Sequence, residues 1–124
     1  MPIEVQHLEP YIYQATWQGN ITLEAIADSL DEVRALADTQ QYGSYTIITD
    51  MTEAKKFPLS ISGLTDIARS DERITAYVFI KGDKTAQFIG KMLDKLSHRH
   101  FVFVDTPQEA LKQARKEQNS VSVR

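Results

Sequence analysis

The hydrophobic period of the chain changes at Thr22, and that change dictates the class of fold. Before it, apolar and polar side chains alternate with a period of two: Ile3, Val5 and His7 share one side, and then Tyr11, Tyr13, Ala15 and Trp17 stand opposite Ile12, Gln14, Thr16 and Gln18. This is the pattern of two strands. Their connection at Glu9-Pro10 is too short for a crossover, which requires about a dozen residues, so the pair is an antiparallel hairpin. After Thr22 the period is helical, with Leu23, Ile26, Ala27, Leu30, Val33 and Ala37 on one stripe and Asp28, Asp31, Glu32 and Arg34 turned away from it. Thr22 is a favourable N-cap for that helix.

The rest of the chain alternates between the two periods. Tyr45-Thr46-Ile47-Ile48-Thr49 reads as a β-branched strand with Asp50 at its carboxyl end, followed by a polar connection from Thr52 to Pro58. Ser60 caps a short helix carrying Ile61, Leu64, Ile67 and Ala68. A strand from Ile74 to Ile80 puts Ile74, Ala76, Val78 and Ile80 on one face and Tyr77 and Phe79 on the other. Gly82-Asp83 opens a helix with Ala86, Ile89, Gly90, Leu93 and Leu96 on its stripe, and Phe101 to Val104 is expected as a doubly buried strand. Thr106-Pro107-Gln108-Glu109 is a capping box with proline at the first helical position, leading into Ala110, Leu111 and Ala114. The expected order is ββαβαβαβα: an α/β fold with a mixed sheet of about five strands, antiparallel at the amino-terminal hairpin, and four helices. One domain is expected over residues 1–117, with a polar tail over 118–124.

Composition narrows the chemistry. The 124 residues include no cysteine, which excludes disulfides, thiol nucleophiles and thiolate metal sites. Fourteen Lys and Arg against 17 Asp and Glu give a formal charge of -3, so the chain as a whole offers nucleic acid no electrostatic attraction. No apolar run approaches the roughly 18 residues of a spanning helix, and the polar start Met1-Pro2-Ile3-Glu4 is not that of a signal peptide, so the expected location is the cytoplasm.

The residues that carry chemistry form no strong motif. No glycine-rich phosphate loop is present, and the two-residue spacing of His98 and His100 is poor for a metal. No cofactor, no metal and no enzymatic activity are therefore expected. Tyr11, Tyr13, Trp17, Tyr77, Phe79, Phe101 and Phe103 form either the core or the lining of a pocket for an apolar ligand. Phe88 and Met92, an i, i+4 pair, fall beside the main stripe of their helix, where either a neighbouring helix or another chain would cover them. A homodimer is compatible with that pair.

Asp50 after Thr46-Ile47-Ile48-Thr49 looks like the acceptor strand of a receiver domain, although the acidic pair, hydroxyl and lysine of that family have no counterparts here. A broader resemblance comes from the element order, the stretch from Tyr45 to Ala68, and the ending Phe101-Val102-Phe103-Val104-Asp105-Thr106-Pro107-Gln108-Glu109-Ala110-Leu111. Together these resemble the STAS domain of anti-sigma-factor antagonists, and more closely the SpoIIAA-like branch of small stand-alone bacterial proteins related to STAS and SEC14 domains. In regulatory STAS proteins a strand ending Asp-Leu-Ser precedes Asp-Ser-Ser-Gly-Leu at a helix start, where a serine is phosphorylated. Asp50-Met51-Thr52 resembles the strand end and Ser60-Ile61-Ser62-Gly63-Leu64 the helix start, with Ile61 at the acceptor position. The resemblance implies a non-catalytic module that binds a protein partner around Asp50, Ser60, Ser62, Gly63 and Leu64. The SEC14 relation implies the alternative of a carrier or sensor of a small apolar molecule.

Overall fold

A computed structural model describes residues 2–122, with the backbone alone for 121 and 122. The hairpin consists of β1 (Ile3–Glu9) and β2 (Ile12–Asn20), paired antiparallel with Ile3 opposite Trp17, Val5 opposite Ala15 and His7 opposite Tyr13. Tyr11, read above as the first residue of the second strand, lies instead in the turn at a φ of 70°. The left-handed conformation turns its side chain out of the alternation, and it is exposed against the ring of Tyr42 at 4.5 Å between centroids.

From there α1 (Leu23–Thr39), β3 (Tyr45–Lys56), α2 (Ile61–Ala68), β4 (Ile74–Ile80), α3 (Lys84–Ser97), β5 (His100–Val104) and α4 (Pro107–Ser122) follow in turn. The sheet order is β1-β2-β3-β4-β5, with every pair after the hairpin parallel. Because each crossover steps one strand further in the same direction, crossovers of one hand put α1, α2 and α3 side by side on one face. The last helix, α4, covers β3, β4 and β5 on the opposite face. Its Ala110 and Ala114, both fully buried, let it approach Ile12, Ile48, Val78 and Ile80 closely.

The caps act where the side chains predict. Thr22 Oγ1 accepts from Ala25 N at 3.1 Å, Asp83 Oδ1 from Ala86 N at 2.8 Å, and Thr106 Oγ1 from Glu109 N at 3.1 Å. Four expectations need correction. The polar connection from Thr52 is strand as far as Lys56, because Gln18, Gly19 and Asn20 of β2 pair with Glu53, Ala54 and Lys56. The segment lies beyond the last β4 pair, Asp50 with Ile80, and ladder hydrogen bonds do not require apolar side chains where most of these are exposed. In β4 a bulge near Ala76 breaks the alternation, so Ile74 joins Tyr77 in the core under the helices. The residues Phe101 to Val104 are only half-buried, since β5 is an edge strand. Finally, residue 118 does not start a tail: α4 runs to Ser122, and the Gln118 amide donates to Thr46 Oγ1 at 2.7 Å and to Thr75 Oγ1 at 3.1 Å.

At the amino ends of β3 and β4 a polar cluster ties three elements together. Arg73 Nη2 donates to Asp71 Oδ2 at 2.9 Å and its Nη1 reaches Asp38 at 2.8 Å, while Tyr45 Oη donates to Asp71 Oδ2 at 2.5 Å. Burial pushes the Asp71 carboxyl up, but the hydrogen bonds from Arg73 and Tyr45 outweigh it and hold its pKa at about 2. Burial and the bond to Asp71 push the Tyr45 phenol well above its ordinary value.

Candidate functional site

Ser60, Ser62, Gly63 and Leu64 form the start of α2, but Asp50 does not join them: the alternation of β3 puts it on the sheet face of Ile48, which α4 covers, away from the face of α1, α2 and α3. Asp50 lies within β3 and its Oδ1 accepts from Thr52 N at 2.9 Å and from Thr52 Oγ1 at 2.6 Å, so the carboxylate is engaged by its own strand. Ser60 is the N-cap of α2, its hydroxyl accepting from Gly63 N at 3.3 Å. Ser62 is exposed in the first turn. At Gly63 a Cβ would lie 2.8 Å from Leu23 Cδ1, so glycine is what lets α2 rest on α1. Leu64 turns inward.

The histidines stand apart from these serines. His7 on β1 pairs with Tyr42 Oη at 3.0 Å, His98 ends α3 in a left-handed conformation, and His100 Nδ1 meets Glu117 at 2.7 Å. Among the described residues no hydrogen bond joins a histidine to Ser60 or Ser62, and no three histidines or carboxylates cluster as metal ligands.

The second feature is an apolar cavity of about 80 Å³ between the sheet and the helices α1, α2 and α3. Five of the aromatic residues singled out from the sequence line it: Trp17, Tyr77, Phe79, Phe101 and Phe103. Their rings form a continuous wall, with Phe79 stacked between Phe101 at 5.7 Å and Phe103 at 5.1 Å, and Trp17 edge-on to Phe79 at 6.4 Å. Tyr11 and Tyr13 do not belong to it; Tyr13 packs on His7 and Tyr45 instead. Leu64, Ile89 and Leu93 face the aromatic wall, and the half-buried Phe57 and Pro58, just ahead of α2, also line the cavity. The alternation of β3 places Thr49 in the same wall as Ile47 and Met51.

The third feature is the outer side of α3. Phe88, Met92 and Leu96 recur at four-residue steps and are 57%, 37% and 49% exposed, so no neighbouring helix covers the pair Phe88 and Met92. Sequence reading grouped Leu96 with the buried stripe; Ser97, fully buried, takes that place through its hydroxyl bond to the Leu93 carbonyl. On the other flank of α3, Gly90 abuts the Phe103 ring of β5, so the exposed row lies on the side that neighbours α2. Lys91 and Lys95, three residues on from Phe88 and Met92, and Lys84, four before Phe88, border it. Leu59, immediately before the α2 cap, is 61% exposed. Among the described residues no helix is long and apolar enough to cross a membrane.

No protein-family model and no curated protein matches the chain. Among solved structures, it is similar to an uncharacterized protein of the DUF3478 family with a SpoIIAA-like fold from Shewanella loihica PV-4. The TM-score is 0.66 at 11% identity, covering 90% of this chain and 91% of that one. It is also similar to the anti-sigma factor antagonist SpoIIAA in its unphosphorylated form, with a TM-score of 0.61 at 14% identity, covering 91% of this chain and 97% of that one. The fold is therefore SpoIIAA-like: a mixed five-stranded sheet with an amino-terminal antiparallel hairpin and four helices.

Proposed function

We propose that this chain is a non-catalytic regulatory module that docks a protein partner on the surface running from the start of α2 to the outer row of α3. The observation that carries the reading is the exposed row Phe88, Met92 and Leu96 with its border of lysines. The row is about 12 Å long, the length of two helical turns, and basic along one side only. Those dimensions suit an acidic amphipathic helix of a partner, whose apolar stripe lies on the row and whose carboxylates meet Lys84, Lys91 and Lys95. None of these lysines takes part in an ion pair among the described residues, and the helix carries them on a chain whose formal charge is -3. The similar SpoIIAA structure is that of an anti-sigma factor antagonist, which supports a role through protein contacts.

The test is lysate capture by wild type beside Phe88→Ser, Lys91→Glu and Ser62→Asp. Stability of Ser62→Asp moves by less than about 1 kcal/mol, since a carboxylate suits a helix's first turn. A specific partner held by wild type is lost in all three folded variants; its undiminished retention by all three places the interface elsewhere.

A second reading, a carrier or sensor of a small apolar molecule, is favoured by the cavity and its aromatic wall.

A further inference from the structure

We infer that the cavity receives a compact, uncharged molecule with one hydrogen-bonding oxygen, of the class of short alcohols and ketones, and that the oxygen lies against the Thr49 hydroxyl. This rests on the second reading above and adds the chemistry of the ligand.

Two observations carry it. The first is size and lining. A volume of about 80 Å³ is roughly half that of the engineered ~150 Å³ cavity known to hold benzene, so an enclosed guest is smaller than benzene, with at most about five non-hydrogen atoms. The lining includes no carboxylate, lysine, arginine or histidine, and its one ionisable group, the Tyr77 phenol, already donates to the Ala68 carbonyl at 3.0 Å. A charged guest would lose its water and gain no counter-charge there.

The second observation is the unequal treatment of two hydroxyls in that lining. Ser29 Oγ donates to the Ile26 carbonyl at 2.7 Å and is satisfied. Thr49 is 3% exposed and lines the cavity, and its hydroxyl has no hydrogen-bond partner among the described residues; unlike the sealed Tyr13 Oη and Arg99 Nε, it opens onto that space. Its strand neighbour Thr46, which faces α4, shows the usual outcome, pairing with Thr75 at 2.6 Å and with Gln118. Buried hydroxyls are nearly always paired, and valine would fill the same space as Thr49 without an unmet polar group. Water is a poor occupant, because it needs two to four polar partners and the lining is almost wholly apolar. A guest with a single oxygen on an apolar body satisfies the hydroxyl and leaves the aromatic wall dry. With about five heavy atoms its affinity reaches the micromolar range at best, which suits a rapidly exchanging signal.

The test is titration of the full chain with 2-butanone, its hydrocarbon isostere 2-methylbutane, and propionate, followed through the methyl resonances of Leu64, Ile89 and Leu93. Wild type and Thr49→Ser bind 2-butanone roughly fivefold or more tighter than Thr49→Val, whereas 2-methylbutane binds all three within about twofold. Propionate leaves the methyls unmoved. Equal binding of 2-butanone by wild type and Thr49→Val overturns the assignment of Thr49 but leaves the cavity reading standing. Failure of both uncharged probes to move the cavity methyls of wild type overturns the cavity reading as well, and tight propionate binding overturns the ligand class.

Discussion

Gly90 and Phe103 are in contact so close that a Cβ at position 90 would stand 2.5 Å from the Phe103 ring carbon Cζ. Gly82 holds the other side of the same ring, where a Cβ would lie 2.8 Å from Cδ1. The aromatic wall of the cavity therefore ends in a ring clamped between two residues without side chains.

Gly90→Ala gains about 1 kcal/mol of helix propensity but forces the ring out of a slot it cannot leave toward Gly82. Overpacking of this kind costs about 1–3 kcal/mol, so the variant is expected to be less stable by about 1 kcal/mol in urea melts. With Phe103→Leu already present, the same change costs less than about 0.5 kcal/mol, because the obstructing ring edge is gone. An equal loss in both backgrounds would mean that the ring is not what resists the methyl group.

Asp71 makes the fold sensitive to acid. Its folded pKa of about 2 lies below the ordinary value of 3.8, so its stabilising contribution is complete above pH 4 and disappears as the pH falls toward 2. The difference corresponds to about 2 kcal/mol. Asp71→Asn removes this dependence and, by taking away the negative charge and one of the two acceptor oxygens that Arg73 and Tyr45 use, costs about 3 kcal/mol at pH 7. Chemical denaturation of both proteins from pH 2.5 to 7 measures this directly, and parallel profiles would contradict it.

Gln118→Ala is expected to cost about 1–2 kcal/mol, because it leaves the buried Thr46 and half-buried Thr75 hydroxyls without the amide that joins them to α4. A midpoint equal to that of wild type would return the segment to the status of a tail.

Local chemistry made much of this fold legible. The period change at Thr22, the caps at Thr22, Ser60 and Thr106, and the apolar runs of β3 and β4 are decided within a few residues, and they sufficed for the element order and the sheet class. What escaped depended on partners distant in sequence. Glu53 and Lys56 read as loop because polarity reports exposure, whereas their strand conformation comes from pairing with Gln18 and Asn20. The face of Ile74 required a bulge that no residue type announces, and the half-burial of Phe101 and Phe103 required knowing that β5 lies at the edge. Phe88 and Met92 were recognisable as surplus apolar residues, since their angular position on α3 is a local property. That Thr49 has no hydrogen-bond partner among the described residues while Thr46 has one is decided by what packs over each face, and no spacing in the sequence reveals it.

The solitary position of α4 has a consequence for how the protein is made. Three helices shelter one side of the sheet as soon as their own strands have formed, but the row Ile12, Ile48, Val78 and Ile80 is covered by α4, which follows all five strands. During synthesis from the amino terminus, the emerging chain carries this oily strip uncovered until residues 107–114 have left the ribosome. Over that interval the strip is open to chaperones or to other unfinished copies, and α4 is the segment whose arrival ends the hazard.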